Sequence, residues 1–167
     1  MGSRIASGFL ILSSAFSIWS LVAGCHPFRS TEFFSLSAAI WTIILFGVCL
    51  LAGGRFLQPI VFSSHGRLRL MRLSGVIFGI HTLIVAGWFV SAWHCKDGEG
   101  AWVITLLLHY LIEPPSFAGL WFLYWRIHGQ VWDYIAYAVW GGTFYALLPF
   151  LFSKRMFSDA PKRNPKT

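Results

Sequence analysis

Two ionisable residues inside a hydrophobic run carry most of the chemistry this sequence offers. His109 and Glu113 stand four apart within AWVITLLLHYLIEPPSFAGLWFLYW, residues 101–125, so on a helix they share one face. A carboxylate in hydrocarbon is costly, and such groups usually face a bundle interior or a wet cavity. A histidine one turn away can share the proton or hold the acid ionised. The competing reading is structural: Glu113 supplies acceptors where Pro114 and Pro115 disturb the helix, and His109 satisfies a neighbouring carbonyl. His81, in the preceding run LSGVIFGIHTLIVAGWFVSAW, can face His109 and join the pair as a proton-transfer or ligand-binding cluster. Its bland alternative is a polar contact satisfied inside the bundle.

The two histidines do not suit a haem. Counted from the arginine-rich side, His81 lies ~10 Å deep and His109 ~18 Å, at ~1.5 Å per residue across a ~30 Å core. Axial ligands of one haem stand nearly level, so bis-histidine ligation is disfavoured. Cys25, Cys49 and Cys95 form no CxxC and no Cys/His pair of zinc spacing. Neither a glycine-rich phosphate loop nor HExxH occurs, and the reading is of no cofactor and no metal. Two cysteine possibilities stand: lipidation of Cys25 after Val22-Ala23-Gly24, and a Cys25–Cys95 disulfide between antiparallel spans.

GIHTLIVAGWFV around His81, followed by an acid in the next segment at Glu113, resembles the emopamil-binding sterol isomerases over about a dozen residues. The resemblance implies proton movement on a sterol double bond, carried here by His81 and Glu113. Val85 stands where that family has a second acid, and the segments before and after do not correspond.

The elements that position these residues are hydrophobic helices. The chain is 56% hydrophobic and only 11% charged with mean hydropathy +0.65, against roughly 25% charged in an ordinary soluble domain. Uncharged or nearly uncharged runs cover about 5–28, 33–54, 73–93, 101–125 and 131–152, and each can cross a bilayer core of ~30 Å. The fold class is therefore an all-α integral membrane bundle of four to five transmembrane helices, the fourth segment kinked or broken at Pro114-Pro115. It fills residues 1–153, and 154–167 form a basic polar tail. No internal repeat is visible.

Thirteen Lys+Arg outnumber six Asp+Glu, but the bases flank the hydrophobic runs, which suits topology signalling and anionic headgroups rather than nucleic acid. Arg55, Arg67, Arg69 and Arg72 fall in what reads as one short cytoplasmic loop at the membrane surface. With five full crossings the bases divide six against seven. If 101–125 enters and returns, ten gather with the amino end, arginine loop and tail against Arg29, Lys96 and Arg126. Gly75 and Gly79 have GxxxG spacing, with Ser74 before them and Ala86-Gly87 beyond, and mark close helix packing. Gly141-Gly142 suggest the same or a weak point. Trp121, Tyr124, Trp125, Trp132, Tyr134 and Tyr137 read as an interfacial aromatic belt, and Asp133 as a helix-start acid.

With no soluble catalytic unit, the expected function is a non-enzymatic accessory, assembly or interaction subunit of a membrane complex. Membrane lipids and either copies of itself or a partner membrane protein would be its contacts. The alternatives are a lipid- or sterol-type binder or isomerase using the His/Glu site, and a proton or ion path. Short loops and the VAGC run point to a bacterial inner membrane.

Overall fold

The structure, a computed structural model, describes residues 2–22, 32–58, 60–94, 112 and 130–156. Its helices are α1 (Gly2–Val22), α2 (Glu32–Leu57) and α3 (Ser64–His94), followed by a terminal helix in three parts. These parts are α4 (Gln130–Ala136), a π-helical turn (Tyr137–Gly141) and α5 (Gly142–Met156). Among the described residues four helices, within Gly2–Val22, Leu36–Leu57, Ser64–Ser91 and Tyr134–Ser153, are long and apolar enough to cross a membrane. The fourth sequence segment, 101–125, lies outside the described residues except for Ile112, and with it the proline break.

Helix α1 packs through a face of small polar residues. Ser7, Ser13, Ser14, Ser17 and Ser20 are all at most 1% exposed, alongside Leu10 at 0%. Their spacing of three and four residues is that of one helical stripe, and small side chains let backbones approach in hydrocarbon. Ser17 donates to the Ser13 carbonyl at 2.8 Å, and Ser13 accepts from Trp140 Nε1 at 3.0 Å. The Cys49 thiol donates to the Ile11 carbonyl at 3.7 Å, tying α2 to α1. Leu12 and Ile5, off that stripe, are 73% and 67% exposed.

Helix directions follow from the cross-contacts. Phe56, near the end of α2, approaches Gly8 near the start of α1, so these helices are antiparallel. Along α3 the sequence 81, 85, 89 meets 145, then 137 and 134, then 134 in the terminal helix, which makes that pair antiparallel too. Arg55 donates to the Leu151 carbonyl at 2.7 Å and Phe62 packs on Phe150. The start of α1, the end of α2, the start of α3 and the end of α5 therefore share one end of the bundle. His94 and Gln130 both lie at the other.

The arginine segment is corrected by this arrangement. Arg55 belongs to the last turn of α2, and Arg67, Arg69 and Arg72 lie in the first turns of α3, which begins well before the apolar run. Ser63 caps it, its hydroxyl accepting from the Gly66 N–H at 3.1 Å, the ordinary N-cap geometry. Arg and Leu are strong helix formers, so nothing from Ser64 to Arg72 stops the helix.

Candidate functional site

Among the described histidines, His81 is buried while His65 and His94 are exposed. His81 is 6% exposed, near the middle of α3. Its ring lies 5.3 Å from that of Tyr145, tilted by 35°. What admits it is Gly142: a Cβ there would stand 2.9 Å from Phe78 Cε2 and 3.3 Å from His81 Nδ1. No side chain larger than hydrogen fits without moving Phe78.

The terminal helix is altered immediately before that glycine. Tyr137–Gly141 form a π-helical turn, and the Gly142 N–H returns to Ala138 and Val139 carbonyls as the α-helical pattern resumes. One extra residue in a turn rotates the register of the residues after it, and such turns occur frequently at functional sites. Here it lets Tyr137, Gly141, Gly142 and Tyr145 all contribute to the inward side. Pro149 further along α5 lacks an N–H for the ladder.

Tyr145 connects this junction to the fourth segment, its hydroxyl donating to the Ile112 carbonyl. Ile112 packs with Val85, Tyr134 and Tyr137, which are buried to 1%, 7% and 3% exposure. The residue before Glu113 is thus held at the level of His81's helical neighbours, midway along α3. His109 and Glu113 themselves lie outside the described residues, as do Cys25, Cys95, Trp121, Tyr124 and Trp125. Among the described residues no group of three His, Cys, Asp or Glu could hold a metal ion.

Three sequence readings are changed. Tyr134 and Tyr137 are core residues rather than belt residues, packed between α3 and the terminal helix, whereas Trp132 is 56% exposed. A Cβ added at Gly75 or Gly79 would meet nothing within 4 Å, so close packing within the chain occurs at Gly142 and the serine face instead. Arg55 is half-buried and engaged by the Leu151 carbonyl, while Arg67, Arg69 and Arg72 are exposed. The roles of Gly142 and Tyr145 had only one sequence signal, the Gly141-Gly142 pair.

No family model, curated protein or solved structure matches this chain.

Proposed function

We propose that the chain is a multi-pass membrane protein acting as a non-enzymatic assembly subunit, joining a copy of itself or a partner membrane helix through α3. The carrying observation is the open small-residue face of that helix. At ~100° per residue, Gly75, Gly79 and Ala86 fall within ~40° of one another, about 120–160° from the His81 side. Gly75 and Ala86 are exposed, and the space beside Gly75 and Gly79 is open to at least 4 Å. The α1 serines are covered and Gly142 meets Phe78 and His81, whereas Gly47, Gly53 and Gly54 of α2 are also open to at least 4 Å; α3 differs in carrying its open small residues at GxxxG spacing. Glycine allows the close backbone approach on which association in lipid depends.

The packed state of His81 supports this choice over a catalytic reading. Among the described residues its ring lies beside Tyr145 and Gly142, a packed environment that favours a structural role.

Energy transfer between differently labelled copies in a bilayer, with native mass spectrometry in mild detergent, tests the proposal. The wild type should self-associate or retain a stoichiometric partner. Gly75→Leu with Gly79→Leu should release a monomer of unchanged thermal stability, because no neighbour within the fold is displaced. A wild type found only as a monomer, with no co-purifying membrane protein, overturns it.

A further inference from the structure

Charge in the described helices is separated completely by end. Arg4, Arg55, Arg67, Arg69, Arg72, Lys154 and Arg155 all lie at the end where α1 and α3 begin and α2 and α5 finish. The two acids of those helices, Glu32 and Asp133, lie at the opposite end. Seven bases therefore occupy helix positions at one end, with no described acid among them.

Within that set the arginines differ in availability. Arg55 is half-buried and donates to the Leu151 carbonyl at 2.7 Å, so its guanidinium joins two helices. Arg67, Arg69 and Arg72 are exposed, as are His65 and Arg4. The three arginines stand within two turns of α3, whose first turn holds no acidic residue. Helix geometry also puts them at the right height. The 31 residues of α3 extend ~46 Å at ~1.5 Å each, against a hydrocarbon core of ~30 Å. Residues 73–94 suffice for that core, leaving 64–72 at headgroup level. Leu68 and Met71, between the arginines, are 49% and 71% exposed, which fits a segment lying partly in the interface and poorly fits one standing in water.

We infer that the first turns of α3 form a binding surface for anionic phospholipid headgroups, carried by Arg67, Arg69 and Arg72 and not by Arg55. The inference rests on the membrane reading proposed above. Guanidinium groups pair bidentately with phosphate, and each base near an anionic surface contributes roughly a fivefold preference. Arg4, exposed at the same end, adds to the same field without being needed as a direct contact. Clustered like charges without acids repel one another, and a surface of negative headgroups removes that repulsion.

The test uses the full chain reconstituted in phosphatidylcholine vesicles with and without phosphatidylglycerol. The quantity read is the association constant of spin-labelled phosphatidylglycerol relative to spin-labelled phosphatidylcholine at the protein boundary. The wild type should prefer the anionic lipid by about fivefold or more, less so in high salt. R67Q/R69Q/R72Q should remove most of that preference while keeping the wild-type melting temperature in phosphatidylcholine. Arg55→Gln should lower that temperature and leave the ratio unchanged. A wild-type ratio near one, a triple variant that keeps the preference, or equal loss in Arg55→Gln overturns the assignment. Competition by soluble inorganic phosphate at matched concentration also overturns it, since the site would then recognise free phosphate. Failure of the chain to incorporate into phosphatidylcholine vesicles would instead sink the membrane reading itself.

Discussion

Gly142 and Gly75 are the same residue type with opposite surroundings, and the difference is measurable. At Gly142 a methyl group meets Phe78 at 2.9 and 3.0 Å and His81 Nδ1 at 3.3 Å, both on a helix packed face to face with its own. Gly142→Ala should therefore push α3 from the terminal helix or force Phe78 off its rotamer, costing ~1–3 kcal/mol. Gly75→Ala meets open space and should leave monomer stability within about 0.5 kcal/mol of the wild type. Thermal unfolding of the two variants in the same detergent checks this, and a Gly142→Ala protein as stable as Gly75→Ala would refute the packing at His81. That packing explains why His81 was only half legible in sequence. Its depth and apolar neighbours can be read from one run, but its partner Tyr145 lies far along the chain. The extra residue of Tyr137–Gly141 that turns Tyr145 inward has no simple sequence mark.

At the scale of elements, hydrophobic length located the four described helices because a bilayer core demands long apolar segments. It misplaced the start of α3, since Arg67, Arg69 and Arg72 look like loop residues to a hydropathy reading although Ser63 caps a helix that contains them. Periodicity was equally uninformative about facing: a helix apolar all round has no amphipathic contrast to show which side is covered. In α1 the contrast is inverted, the serines being inside and residues such as Leu12 outside. This inversion predicts an inverted tolerance. Ser14→Leu, at a position 0% exposed against α2, should overpack the α1–α2 contact and destabilise by ~1–3 kcal/mol or more. Leu12→Ala, at a position 73% exposed, should change stability by less than about 0.5 kcal/mol. Denaturation of the detergent-solubilised variants ranks them, and a reversed order would rule out the serine face as the interface.

For the whole molecule, helix direction constrains topology more tightly than counting charges can. The contacts of His81 with Tyr145 and of Phe89 with Tyr134 make α3 antiparallel to the terminal helix, and Arg55 with Leu151 brings the ends of α2 and α5 together. The chain leaving α3 at His94 thus resumes at Gln130 on the same end. The ten-to-three division of bases groups the opposite end, that of Arg4 and Arg55, and the positive-inside rule predicts that this end lies in the cytoplasm. Reporter fusions at the amino terminus, after Met156, after His94 and before Gln130 test the arrangement. The first two should report the cytoplasmic side and the last two the opposite side. A terminal reporter on the far side from the amino terminus would mean that α3 and the terminal helix run parallel in the membrane, and the Tyr145 contact with Ile112, next to Glu113, would then have to be abandoned with it.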